Sequence, residues 1–390
     1  MSNSTSPKEI HLARFGVDGA VYQGPGRVNL IGEHTDTSEG FVMPAALDLR
    51  TICVLSPRTD ATANIYSANF DEQVSIDLDR LPAAARRHWS DYPVSVLWSL
   101  GQRGIRCGGF DMTLAGNVPV GSGLSSSASV EVAVAFAVLA HAGVVLEKPE
   151  IAKICQFSEN NFVGTQSGIM DPFASCCGVA GHALLLDCRS LEYEALPLPE
   201  GVVIVICNTM VKHSNSQGGG YNERRREVQE GVRILTERYP GIRVLRDVSE
   251  EMLRGCQSRM PENVFRRCLH VVTENARVQQ AAAALRTHDF SRFGRLMGEA
   301  HISMRDNYAA SCVEADTMVE LAAKQPGCYG ARITGGGFGG CTVNLVAAEN
   351  ADAFIQNVRA GYRQATGIDA EIYLSRASDG AGRLLTELSR

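Results

Sequence analysis

Apolar and polar residues alternate over Phe110-Asp-Met-Thr-Leu114, the period of a strand with one buried face. A run rich in Ala and Val follows over 130–143, long enough for about three to four helical turns. Between them lies a loop of glycine and serine, 116–129, so the local order is strand, loop, helix. The rest of the chain divides in the same way. Residues 21–31 read as a strand interrupted at Gly24-Pro25-Gly26, 41–47 are apolar, and strands are predicted over 51–55, 63–67 and 74–78. A helix is predicted over 88–103 and another over 149–163, with Pro149 at its start and Glu159 near its end. Asp171-Pro172 reads as a helix start with Asp171 at the cap.

Strands over 182–187 and 191–196 read as a hairpin around Cys188-Arg-Ser190, and 202–207 as a buried strand. Helices are predicted over 222–238, 262–288, 290–305 and 351–366, with strands at 331–334, 341–346 and 370–375. Strands and helices mix without a regular βαβ repeat, which predicts an α+β protein. A chain of 390 residues suggests two domains, here expected as 1–185 and 186–390.

Composition narrows the function classes. A net charge of −6, from 37 basic and 43 acidic residues, provides no global field for nucleic acid or an anionic membrane. The first seven residues are polar, and no apolar run reaches membrane-spanning length, so a cytoplasmic protein is expected. Twelve cysteines lie scattered without C-x-x-C pairs or zinc spacing, as in a reducing compartment. Cys176-Cys177 reads as structural. The basic triplet Arg224-Arg-Arg226, flanked by Glu223 and Glu227, reads as a solvated helix face.

Three segments concentrate polar residues beside glycine: 24–40, 116–129 and 335–340. A Gly/Ser loop opening a helix can cradle phosphate on free N–H groups. Its serines Ser125, Ser126 and Ser127 can reach a metal-bound phosphate or simply cap the helix. No Walker-type loop is present. Gly335, Gly337 and Gly340 match a dinucleotide spacing, but strands on both sides exclude that reading. Arg27, Glu33, His34 and Asp36 would suit a sugar or phosphate site, yet each also has an ordinary structural reading.

A resemblance weighs between these readings. Gly26-Arg-Val-Asn-Leu-Ile-Gly-Glu-His-Thr-Asp36 resembles the galactokinase signature, and Gly121-Ser-Gly-Leu-Ser-Ser-Ser-Ala128 the ATP loop of the wider family of galactokinase, homoserine kinase, mevalonate kinase and phosphomevalonate kinase. Thr334-Gly-Gly-Gly-Phe-Gly-Gly340 resembles that family's third motif. Gly168-Ile-Met-Asp171, the stretches 182–190 and 273–277, and Tyr221-Asn-Glu-Arg-Arg225 are also similar to galactokinases. The resemblance implies two α+β domains around a cleft and ATP-dependent phosphorylation of the anomeric hydroxyl of α-D-galactose, with ATP and Mg2+. It implies that Arg27 and Asp171 form the catalytic pair and that Ser127 and Glu159 contact magnesium. Glu33, His34, Asp36, Asp171 and Tyr221 would contact the sugar. Gly121, Ser122, Gly123, Leu124, Ser125, Ser126 and Ser127 would hold ATP, with Gly335, Gly336 and Gly337 closing against them. No nucleic acid, membrane or obligate protein partner is implied.

Some positions depart from the pattern. Thr37-Ser38 stands where galactokinases commonly carry Tyr-Asn, Pro172 where Gln is common, and the segment at Gly218-Gly-Gly220 is one residue longer. These leave two other readings open: a kinase for a related sugar such as N-acetylgalactosamine, and a non-catalytic sugar sensor. Intact Arg27, Ser127, Glu159 and Asp171 speak against the sensor.

Overall fold

The computed structural model describes residues 5–212 and 219–385. The first half runs α1 (Pro7–Phe15), β1 (Ala20–Asn29), β2 (Phe41–Val42), β3 (Pro44–Pro57), β4 (Thr62–Ser67), β5 (Glu72–Asp77), α2 (Asp91–Gln102), β6 (Phe110–Gly116), α3 (Ser126–His141), α4 (Lys148–Ser158) and α5 (Met170–Cys177). Then come β7 (His182–Asp187), β8 (Tyr193–Pro197), β9 (Val202–Lys212), α6 (Gly219–Arg238), α7 (Glu250–Arg254), α8 (Glu262–Arg286), α9 (Phe290–Ser303) and α10 (Val313–Ala323). The chain closes with β10 (Cys328–Ile333), β11 (Gly339–Ala347), α11 (Ala351–Thr366), β12 (Glu371–Ser375) and β13 (Gly382–Leu384).

Three sheets organise these elements. The first has the order β13-β1-β3-β6-β4-β5, antiparallel except for the parallel β4–β6 pair. The second is antiparallel, β10-β11-β9-β12, and the third is the small sheet β2-β7-β8. The division expected after residue 185 falls inside β7, and β13 returns to pair with β1. The halves we propose as domains therefore share backbone pairing. They also share a core: Val28, Leu30 and Met43 of the first half pack with Ile204, Val278, Met297 and Val343 of the second. Burying that apolar surface fixes one half against the other.

Several elements differ from expectation. Gly24-Pro25-Gly26 does not interrupt β1; the strand runs through it with a register shift between Pro25 and Arg27, a bulge that absorbs the proline's missing donor. The apolar 41–47 stretch is split: Phe41–Val42 form β2, and its remainder from Pro44 merges with the strand at 51–55 into the single 14-residue strand β3. Helix α3 begins inside the serine run, four residues before the Ala/Val stretch. Helix α4 ends at Ser158, and Glu159–Val163 form one π turn. Among the described residues no helix is long and apolar enough to cross a membrane.

Helix α9 lies against β10 at a contact that only glycine permits. A Cβ on Gly294 would sit 1.6 Å from the Tyr329 carbonyl oxygen, which is backbone and cannot swing aside. Gly294→Ala should destabilise the protein at or above the upper end of the range for overpacking, about 1–3 kcal/mol. Denaturant unfolding would show this as a lowered midpoint with an unchanged slope; an unchanged midpoint would mean that α9 and β10 separate freely.

Candidate active site

The site begins with close packing of β1 on α3. A Cβ at Gly24 would fall 2.2 Å from the Ser129 carbonyl oxygen, and one at Gly26 2.8 Å from that of Leu124. Hydroxyls replace missing sheet bonds here: Ser129 Oγ donates to Gly24 O at 2.6 Å and Ser175 Oγ to Pro25 O at 2.7 Å. The bulge turns Arg27 into the space between α3 and α5. Its Nε and Nη2 donate to the two Asp171 oxygens at 2.8 and 2.7 Å, and Nη1 donates to Gly123 O at 2.6 Å. The Arg27 side chain is 5% exposed and that of Asp171 25%, so this is a shielded, two-pronged pair.

Asp171 does not cap its helix. Helix α5 begins one residue earlier, at Met170, and its cap residue Ile169 offers no side-chain bond. Asp171 sits in the first turn, where Pro172 is tolerated because those N–H groups lack helical acceptors anyway. Its carboxylate accepts from Arg27 and from Ser125 Oγ. Ser125 is not an N-terminal cap bond either. It adopts a left-handed conformation (φ 57°, ψ 51°) with no cap hydrogen bond, and its hydroxyl serves Asp171.

The serine loop and the glycine loop meet backbone to backbone. Gly335 and Gly340 have positive φ (81° and 76°), and a Cβ on either would lie 2.7 Å from Gly123 O or 2.8 Å from Ser122 O. The glycine loop joins β10 to β11, as the strands around it predict. Glu33 ties it to the first motif, with Oε1 accepting from Gly335 N at 2.8 Å.

The turn after Glu33 places His34 and Asp36. His34 has φ 62° and stacks on Tyr308 at 4.3 Å between ring centroids, with Tyr221 at 5.5 Å. Burial holds its imidazole well below its usual pKa, with His270 and Arg332 adding to the effect. Its buried Nε2 has no partner among the described residues. Asp36 is pushed up to about 6 by burial, then by the Asp171 and Glu33 charges, against the N–H groups of Thr37 and Met170. Gly168 is required beside it, because a Cβ there would fall 1.8 Å from Asp36 Oδ2.

Stretches flagged only by resemblance turn out to brace this turn. On α8, Glu274 accepts from Gly32 N at 2.8 Å, Asn275 from Phe41 N at 2.9 Å, and His270 Nε2 donates to Glu33 O at 3.1 Å. After β7, Cys188 N donates to Gly40 O at 2.9 Å and Arg189 Nε to Glu39 at 2.7 Å. The basic triplet of α6 is not simply a solvated face. Arg226 is exposed, but Arg224 donates to Ala309 O and pairs with Glu223 and Glu227, and Arg225 donates to Gln166 O at 2.7 Å. Gly218 lies outside the described residues; Gly219 and Gly220 open α6 and lead into Tyr221.

Ser127 and Glu159 also come together. The Ser127 hydroxyl bonds the Glu159 carboxylate, and Ser167 Oγ donates to Glu159 Oε2 at 2.7 Å. The π turn starting at Glu159 aims this side chain inward, a feature common at functional sites. Burial pushes Glu159 up to about 7, opposed by those hydroxyls and by Arg27. Among the described residues no group of three or more His, Cys, Asp and Glu side chains is arranged to hold a metal ion. A hydroxyl and a carboxylate together are hard oxygen donors of the kind Mg2+ takes beside phosphate.

A cleft of about 970 Å³ connects Arg27, Asp171, the serines 125–127 and glycines of both loops. Its far end is walled by Phe70 and Trp89, stacked at 6.0 Å and 15°, with Trp89 Nε1 donating to Glu72 at 2.7 Å. That wall was missed from the sequence. Trp89 lies in a polar connection before α2, and nothing local links it to Phe70.

Known proteins match this arrangement along the chain. The galactokinase galactose-binding signature matches residues 9–57, the GHMP kinases N terminal domain 91–179 and the GHMP kinases C terminal model 281–364. The galactokinase of Roseiflexus sp. (strain RS-1) is 45% identical over 94% of this chain and 93% of its own. That of Fusobacterium nucleatum is 40% identical over 92% and 94%. A crystal structure of Lactococcus lactis galactokinase complexed with galactose superposes with a TM-score of 0.93 at 34% identity, over 97% of this chain and 98% of that one. A mevalonate kinase structure from Methanococcus jannaschii, at 17% identity and a TM-score of 0.67, shares the fold over 93% and 99%. On sequence and on fold alike, the chain belongs to the galactokinase family of GHMP kinases.

Proposed function

We propose that the protein transfers the γ-phosphoryl group of ATP to the anomeric hydroxyl of α-D-galactose, giving galactose 1-phosphate and ADP. The observation that carries this reading is the Arg27–Asp171 pair, lining the same cleft as the serine and glycine loops. Phosphoryl transfer passes through a loose transition state with charge spread over the transferred oxygens, so positioning and electrostatics dominate.

Each part of the cleft then has a task. N–H groups of residues 121–127 and the start of α3 receive phosphate, with Gly335, Gly336 and Gly337 covering it. The flat Phe70–Trp89 wall suits a purine ring. Glu33, His34, Asp36 and Tyr221 are not among the residues that line the cleft; we place the sugar between them and Asp171, where Asp36 accepts its hydroxyls by charge-assisted hydrogen bonds. Asp171, held by Arg27 and Ser125, orients the attacking hydroxyl and takes its proton late. Arg27 stabilises negative charge developing on the attacking oxygen. Ser127 and Glu159 would hold Mg2+, which when bound supplies neutralising charge for the phosphates.

Thr37 donates its backbone N–H to Asp36 Oδ1 at 2.9 Å, and Ser38 is buried, so both departures are held inside the turn that carries Asp36. With twelve free cysteines, the protein fits the reducing cytoplasm, where we place it.

Three outcomes follow. Asp171→Asn keeps the shape of the pair but not its charge, and should lower kcat by about 10²–10⁴-fold with an unchanged circular dichroism spectrum. Turnover within tenfold of wild type would remove Asp171 from the chemistry. Glu159→Gln should raise the Mg2+ concentration for half-maximal rate by roughly tenfold or more, while leaving galactose binding measured without nucleotide unchanged.

The third concerns pH. Folded Asp36 ionises near pH 6, while the unfolded residue ionises near its usual 3.8. Its contribution to stability is therefore complete below about pH 4 and lost as pH rises through 6. Galactose KM should climb as pH falls below about 6, where Asp36 loses its charge. Asp36→Asn should raise the melting temperature at pH 7.5 but not at pH 4, and should weaken galactose binding at pH 7.5 more than at pH 5. A KM profile flat from pH 5 to 7.5 would exclude the charged acceptor.

A further inference from the structure

Arg332 lies on β10, just before the glycine loop, and its side chain has no solvent exposure. No step of the reaction above uses it. A guanidinium keeps its charge in a protein interior, so its burial demands partners. Its Nη1 donates to Asn29 O at 3.3 Å and stands 3.6 Å from Glu33 Oε1. Its Nε and Nη2 have no partner among the described residues, and neither does the buried Nε2 of His34. Arg332 and Asn29 both act on the Glu33 carboxylate, and Arg332 also acts on His34. Unpartnered buried donors are costly, and their concentration around one carboxylate marks a place not optimised for stability alone.

Glu33 stands at a junction. Its Oε1 accepts from Gly335 N, and its backbone oxygen accepts from His270. Gly335 is pressed on Gly123 of the serine loop, with no room for a Cβ between them. On the other side, Glu33 opens the turn that presents His34 and Asp36. A displacement of the glycine loop therefore moves Glu33, and with it that turn.

We propose that Arg332 is a positioning residue that couples the nucleotide and sugar positions: its charge holds the Glu33 carboxylate to the Gly335 N–H, so that nucleotide on the glycine loop and sugar on the 33–36 turn strengthen each other's binding. The inference rests on the reading of this cleft as the site for ATP and galactose. Such coupling is reciprocal by thermodynamic necessity. Without Arg332, the buried Glu33 carboxyl loses the larger of the two cationic influences on it, with only Arg27 left to oppose the effect of burial. A carboxyl less stabilised in its charged form holds the Gly335 N–H less firmly.

The test is the affinity of adenylyl imidodiphosphate, with Mg2+, measured by calorimetry with and without saturating galactose, and the reverse titration. Wild type should show a mutual tightening of about fivefold or more, equal in both directions. In Arg332→Met that factor should fall below about twofold, while each ligand alone binds within about threefold of wild type. Arg332→Lys, which keeps the charge, should restore part of the factor. Full coupling in a folded Arg332→Met would overturn the proposal, as would an absence of coupling in wild type. A merely structural role would lower the melting temperature and weaken both ligands without touching their coupling. If Arg332→Met fails to fold, Arg332→Gln, which keeps a donor for Asn29 O, takes the same criterion. Failure of wild type to bind either ligand would instead refute the reading of the cleft itself, and this inference with it.

Discussion

The shielded pair of Arg27 and Asp171 is the constraint on which the rest of the site depends. Breaking such a pair by removing one member costs about 3–5 kcal/mol, because the other charge is left without a partner. The pair exists only if three elements converge. Strand β1 must bulge at Pro25 to turn Arg27 inward, and Gly24 and Gly26 must lack side chains so that β1 can press on α3. Helix α5 must start at Met170 to bring Asp171 alongside. Arg27 then binds Gly123 O as well, which fixes the serine loop to the same point. One guanidinium thus joins a strand, a helix and a loop, and the geometry of the attacking group and of the phosphate loop cannot vary separately.

Much of this was legible in the sequence where the signal is local. The strand, Gly/Ser loop and helix of 110–143 read correctly from period and composition, as did the strands around Gly335–Gly340 and the hairpin after residue 182. Local rules misled where a distant partner decides. Gly24-Pro25-Gly26 looks like a break, yet β3 and β13 flank that strand and hold it. Asp171-Pro172 looks like a cap, yet Arg27, 144 positions away, claims the carboxylate. Ser125 looks like a cap and serves Asp171. Arg332 gives no signal at all, because an arginine in an alternating strand usually points to water, and only the packing of the two halves encloses it.

The site also concentrates unfavourable features. Among the described residues with positive φ other than glycine, His34, Glu39, Arg87, Ser125, Ala309 and Phe338 belong to the loops that form the cleft or brace it. Each such conformation costs on the order of 1 kcal/mol or more. Glu159 is a buried carboxyl and Asp36 a half-buried one, and both are pushed up toward neutrality. These features persist because the surroundings over-determine them. His34 is clamped between two tyrosines, and Ser125 is held by Asp171.

The offset comes from the apolar core shared between the halves. A cleft enzyme built from two independent domains would open by a hinge, and its loops could relax out of strained conformations whenever it did. Here Val28, Leu30 and Met43 are packed against Ile206, Val278 and Met297, directly behind the turn that carries Glu33 to Asp36. Any rotation that separated the serine loop from the glycine loop would have to expose part of that surface, at about 25 cal/mol per Å². Strain at the mouth of the cleft and apolar burial behind it therefore balance through the same short segment, residues 27–43. That is why this segment carries both the most specific sequence motif and hydrogen bonds from α8, the glycine loop and the stretch after β7.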